Sequence, residues 1–352
     1  SWDGATLSGS SEIHIRVTDA AGNAGTAGTQ AYVLDTTAPT ITIGSIDINA
    51  DTGTSATDFT TKTASQTVSA TLSAALASGD VLYGSVDGGS NWTDITDKVS
   101  NDTDVSWDSV TLSGSSEIQF KVTDAAGNDG AVATQAYVLD TTAPTITISG
   151  IALSADTGTS DSDFLTKTAS QTVTATLSAE LATGDVVYGS VDGGSNWTNI
   201  TNKVTGTAIA WNGVTLSGSS EIHIKVTDLA GNDGTAATQA YVLDTTAPTI
   251  TVSSIDIATD SGTSDSDFIT NESSQTITAT LSGTIADSDV VYGSVDDGTT
   301  WIDITDKVSG TDITWDAVTL LEDAGATGVI QIKVTDAAGN DGAIEEQAYN
   351  VI

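Results

Sequence analysis

This sequence predicts an all-β chain of tandem sandwich domains, and three observations carry the prediction. The first is composition. Of 352 residues, 34 are glycine and 38% are hydrophobic, with Thr, Ser and Asp abundant and few residues that favour helices. Strands joined by tight turns use that mix. The second is internal repetition at the size of a domain. Prolines at 39, 144 and 248 lie 105 and 104 residues apart, and Trp2, Trp107, Trp211 and Trp315 recur at 105, 104 and 104. The third is hydrophobic alternation at period two, broken by turn residues every 8–12 positions or so, with no helical period.

The period divides the chain into an incomplete repeat, 1–37, and three full ones, 38–142, 143–246 and 247–352. The first 37 residues match only the last third of a copy, so the segment reads as a piece of a longer chain. In the last copy LLEDAGATGV (Leu320–Val329) replaces a short LSGSSE-type turn, and AYNVI replaces AYVLD.

The middle copy can be read strand by strand. PTITISGIAL is the first strand, followed by the loop DTGTSDSDF. SQTVTATLS alternates, with Val173, Ala175 and Leu177 on one face. DVVYGSV, a short WTNIT and AIAWNGVTL follow. EIHIKVTD then alternates, with Ile222, Ile224 and Val226 inward and His223 and Lys225 outward. The loop LAGNDG leads to the last strand, TAATQAYVLD. Seven strands of this kind predict an immunoglobulin-like Greek-key sandwich of about 104 residues, repeated head to tail as a rod. There is no cysteine, so Trp, Tyr and Phe are expected to fill the place of a core disulfide.

Charge narrows the functions. Nine Lys+Arg face 47 Asp+Glu, for a formal −38. Nucleic acid is excluded as a partner, because nothing here neutralises phosphate. Direct membrane contact by this segment is not expected, and cations are the natural partners. Only eight of the acids are glutamate (12, 117, 180, 221, 272, 322, 345, 346), which leaves 39 aspartates. Aspartate is the short, turn-tolerant oxygen ligand of loops.

Antiparallel alternation places the acidic loops at the junctions between repeats. Each junction is expected to gather the acid loop of one repeat, the aspartate that ends its last strand, and the Asn-Asp loop of the next repeat. The three sets differ in completeness. One is Asp35 with Asp124, Asn128 and Asp129. The second is Asp51, Asp58 and Asp140 with Asp228, Asn232 and Asp233. The third is Asp156, Asp161, Asp163 and Asp244 with Asp336, Asn340 and Asp341. The last acid loop adds Asp260, Asp265 and Asp267. Two carboxylates ~5 Å apart repel by on the order of 3 kcal/mol at an effective dielectric of ~20. A structural Ca²⁺, which takes six to eight oxygens, reverses that sign. Solvated turn aspartates would use the same residues. The linker proline fixes φ and biases the alanine before it to extended backbone, which stiffens a short connection.

Two motifs point away from catalysis. Ser85, Asp87, Gly89 and Trp92 fit S-x-D-x-G-x-x-W, as do Ser190, Asp192, Gly194 and Trp197, and Ser294, Asp296, Gly298 and Trp301. The pattern resembles the Asp-box of sialidases and related propellers, where it is a structural hairpin. Here it reads as a turn stabilised by Asp and anchored by Trp. The only histidines, His14 and His223, are replaced by Gln119 and Gln331 in the other copies. No repeated hydrolytic triad or zinc site can be built from them, and the chain is not expected to be an enzyme.

LDTTAPTIT, DTGTSDSDF and VTDAAGNDG together resemble the bacterial immunoglobulin-like repeats of giant secreted adhesins, including RTX and biofilm-associated adhesins. The resemblance covers essentially the whole chain. It implies a tandem extender stalk on the bacterial cell surface, exported by type I secretion and rigidified by extracellular Ca²⁺. Such a stalk projects a distal binding domain for adhesion or biofilm formation. Neighbouring repeats are then the expected partners, and lateral self-association of chains is the other partner this reading allows. The alternative is a carbohydrate- or protein-binding module acting through its loops. Near-identity of the copies favours a spacer, since recognition surfaces usually differ between copies.

Overall fold

The computed structural model describes residues 1–261, 263–321 and 327–352. The middle of the divergent turn of the last repeat (Leu320–Val329), residues 322–326, lies outside the described residues. The chain divides into two compact units. One comprises Ser1–Pro144 with Ala182–Asp185 and Thr227–Gly234, and the other comprises Thr145–Leu181, Val186–Val226 and Thr235–Ile352.

The middle repeat serves for all three. Its strands are β1 (Ile148–Leu153), β2 (Leu165–Thr166), β3 (Ser170–Leu177), β4 (Val186–Ser190), β5 (Thr198–Asn199), β6 (Val204–Thr205), β7 (Ala208–Thr215), β8 (Ser219–Thr227) and β9 (Ala237–Leu243). One sheet has the order β1-β3-β7-β6 and the other β2-β9-β8-β4-β5. The sequence pattern predicts seven strands, and the structure has nine. The two additions, β2 and β6, are two residues long, too short to show a period. The described strand pairings of this repeat are antiparallel except β2 with β9, where Leu165 faces Val242 and Thr166 faces Leu243 in parallel. The acid loop therefore crosses from the first sheet to the second. Each full repeat is an immunoglobulin-like sandwich.

Alternation places the core where the residues predict it. Val173, Ala175 and Leu177 of β3 are buried, as are Ile222, Ile224 and Val226 of β8. Trp211 of β7 and Tyr241 of β9 close the same cluster, where an immunoglobulin domain commonly has a disulfide. Equivalent clusters occupy the repeats on either side. The Tyr241 hydroxyl donates to the Val191 carbonyl at 2.8 Å, so its polar tip is satisfied. In residues 1–37 the strands Ser11–Ile15 and Gly28–Tyr32 pair and Thr18 bridges Ala24, but Trp2, Ile15, Val17 and Val33 are exposed. Among the described residues no helix is long and apolar enough to cross a membrane.

The Ser-x-Asp motif is a hairpin brace, as expected. Ser190 Oγ donates to Asp192 Oδ1 (2.7 Å), and the Gly194 amide donates to Ser190 Oγ (3.0 Å). Trp197 lies under the Lys225 ammonium, 4.4 Å from its ring centroid, which is cation–π distance.

Candidate functional site: the joint between repeats

The acid loop is closed by its own aspartates. Asp156 Oδ2 accepts the Phe164 amide at 2.9 Å, and Asp163 Oδ1 accepts the Leu165 amide at 3.0 Å. Asp51 and Asp58 do the same for Phe59 and Thr60, and Asp260 and Asp267 for Phe268 and Ile269. The other oxygen of the first aspartate is left over. Oδ1 of Asp51, Asp156 and Asp260 is buried and has no hydrogen-bond partner among the described residues. A buried acceptor without a donor is a cost that native structures seldom carry. Burial pushes the Asp156 carboxyl up, and the charges of Asp163 and Asp161 push it further. Asp51 is raised by burial first and then by Asp58 and Asp47.

The Asn-Asp loop is closed in a different way. Asp336 Oδ1 accepts the Asn340 amide (2.8 Å), and Oδ2 accepts Asn340 Nδ2 (2.9 Å). Gly339 turns the chain at φ 89°. Asp341 accepts from Thr335 Oγ1 (2.7 Å) and pairs with Lys333 (2.9 Å). Burial works to raise the Asp341 carboxyl, but the Thr335 hydroxyl and the Lys333 ammonium outweigh it and the net shift is downward. Asp129 is lowered by Lys121 and Thr123.

These loops meet, and each meeting lies inside one compact unit. In the first unit Thr52 Oγ1 donates to the Ala230 carbonyl (2.6 Å), Lys62 Nζ to the Gly231 carbonyl (2.5 Å) and Asn232 Nδ2 to the Asp140 carbonyl (2.9 Å). In the second, Thr157 Oγ1 donates to Ala338 O (2.7 Å), Lys167 Nζ to Gly339 O and Asn340 Nδ2 to Asp244 O (2.9 Å). Asn128 reaches the Asp35 carbonyl at 3.1 Å. The approach is close enough that a Cβ on Gly158 would run into the Ala337 carbonyl, at a backbone φ of +100°.

Acid loop, linker and Asn-Asp loop thus come together as the loop order predicts. The contacts themselves are direct hydrogen bonds to backbone carbonyls. The linker aspartates use their side chains locally, since Oδ1 of Asp35, Asp140 and Asp244 accepts the amides of Thr37, Thr142 and Thr246 at 2.9 Å. Asp124 and Asp228 brace Asn128 and Asn232 within their own loops, and Asp233 accepts from Thr227. Among the described residues no three His, Cys, Asp or Glu side chains are placed to hold one ion together. What the joints offer a cation is the lone buried oxygen of Asp51 or Asp156, with acid-loop carboxylates in the same loop and the carbonyl-bearing Asn-Asp loop across the seam. That donor set fits a hard ion that completes its shell with carbonyls and water.

Sequence reasoning missed Thr52, Lys62, Thr157 and Lys167. Their recurrence at the same offsets beside two acid loops was the available signal.

No family model matches the chain, and no curated protein matches it. Among solved structures it is similar to a tetra-tandem repeat in the extending region of a large adhesion protein: 16% identity, TM-score 0.25, 98% of this chain and 82% of that one. It is also similar to a 1.5-MDa bacterial ice-binding adhesin (19%, 0.28, 90% and 98%) and to chicken CNTN1 FN1–FN3 domains (13%, 0.30, 88% and 99%).

Proposed function

We propose that this segment is a spacer: a structural extender of a bacterial cell-surface adhesin that carries a distal binding domain away from the cell and has no catalytic role. The observation that supports it is the joint built twice from the same groups, Thr52, Lys62 and Asn232 in one place and Thr157, Lys167 and Asn340 in the other. A spacer needs one reproducible connection, whereas a recognition surface gains from variation between copies. We further propose that extracellular Ca²⁺ stiffens each joint. Asp51, and Asp156 with Asp161 and Asp163, would hold it, and its charge would offset the burial and crowding that raise Asp51 and Asp156.

Calcium titration tests this reading. A bound ion stabilises by mass action, ~4 kcal/mol at a thousandfold excess over Kd. Melting should shift up in Ca²⁺ and return in EDTA, and solution scattering should show a stiff, extended particle only with the ion. Superimposable melts and scattering curves in the two buffers would sink the calcium proposal.

A further inference from the structure

The joint brings together unlike surfaces. The Asn-Asp loop presents bare carbonyls, those of Ala230 and Gly231 or of Ala338 and Gly339. The acid loop before it answers with donors, the hydroxyl of Thr52 or Thr157 and the ammonium of Lys62 or Lys167. The Thr157 hydroxyl gives its proton across the seam at 2.7 Å, while Oγ1 accepts the Lys167 amide at 2.8 Å and lies only 3.3 Å from Thr166 Oγ1 within its own loop.

The third acid loop has different residues at these positions. Ser261 stands where Thr52 and Thr157 do, Asn271 replaces the lysine, and Glu272 replaces Thr63 and Thr168. Ser261 Oγ still accepts the amide of residue 271 (2.7 Å), but it donates to Asn271 Oδ1 at 2.8 Å. The hydroxyl proton is spent inside the loop. The sequence of this loop has no lysine to meet a carbonyl, and Glu272 adds a negative charge next to the residue that takes the lysine's place. Ile352, in place of Asp140 and Asp244, removes the side chain that accepts the Thr142 and Thr246 amides.

We propose that the Thr–Lys pair is an acceptance code for the Asn-Asp loop of a following repeat, and that the Ser261–Asn271–Glu272 set closes the far end of the third repeat to that loop. The proposal rests on the joint underlying the spacer reading, but not on calcium. It assigns two ordered, same-type connections to this chain and makes the far end of the third repeat a place where the repeat type must change.

The absence of cysteine allows site-specific spin labelling of the full chain. Labels at Thr215→Cys and Thr319→Cys report the second joint through their distance distribution. Transplanting the closed code (T157S/K167N) should broaden that distribution at least twofold, in Ca²⁺ and in EDTA alike. A second arm extends the chain beyond Ile352 with another copy of residues 141–246, which keeps the native linker length, and labels its last joint. That joint should be broad as built and should narrow with S261T/N271K/E272T. An unchanged width in T157S/K167N, or a narrow last joint without substitutions, overturns the proposal. A joint that answers to calcium but not to the swap rejects the code and leaves the ion. The opposite result rejects the ion and leaves the code.

Discussion

At the residue scale, Oδ1 of Asp51, Asp156 and Asp260 stands out because it is buried and meets no donor, while Oδ2 of the same carboxylate is hydrogen-bonded. A carboxyl raised in the fold contributes stability at low pH that is lost as pH rises through its folded value, so at neutral pH Asp156 works against folding unless a cation meets it. Asp156→Asn should therefore stabilise the metal-free protein by about 1 kcal/mol. It should also blunt the Ca²⁺ response of the melt. A lower melting temperature in EDTA would contradict this account. Backbone strain gives a second test. Ala317 sits at φ 58° where the second repeat has Gly213 at φ 75° and the first has Ser109 at φ 60°. Left-handed backbone costs a non-glycine residue about 1–2 kcal/mol. Ala317 is exposed, so Ala317→Gly should raise the unfolding free energy of the third repeat by up to about 1 kcal/mol after glycine's own entropy cost, and its denaturation midpoint with it. Chemical denaturation decides it.

At the element scale, the braced hairpin is the most regular device in the chain. Hydrogen bonds from Asn91 and Ser85 hold the Asp87 carboxyl down at about 2, and Ser190 and Asn196 hold Asp192 at about 2. A depressed carboxyl contributes stability that is present above its unfolded value of 3.8 and lost as pH falls toward 2. Fluorescence of the hairpin tryptophans, Trp92 and Trp197, should stay native at pH 4 and change only below it. A transition centred above pH 4 would show that the brace does not protect these carboxyls. Legibility also differs between elements. The eight- and nine-residue strands β3 and β8 could be read from alternation alone, because one face had to be apolar. β2 and β6 could not, since a two-residue strand exists only through the neighbour that pairs with it.

At the scale of the molecule, the joints decide whether repeats act together. Gly158→Ala would place a methyl against the Ala337 carbonyl at a left-handed φ. It should open the second joint while leaving the core around Val173 and Ile222 folded. Differential scanning calorimetry should then show the second and third repeats melting more independently than in the native chain, and an unaltered single transition would argue that the joint adds no coupling.

Repeat length, sandwich class, buried faces and the convergence of acid loop, linker and Asn-Asp loop were all determined by the sequence alone. Period-two alternation and the antiparallel order of strands leave few other arrangements. Only the tertiary structure decided which atoms join the repeats. The partners of Thr157, Lys167 and Asn340 are backbone carbonyls, which every residue possesses and no sequence pattern marks. It also decided which aspartate oxygen is left without a donor, because that depends on every other hydrogen bond in the loop being made first.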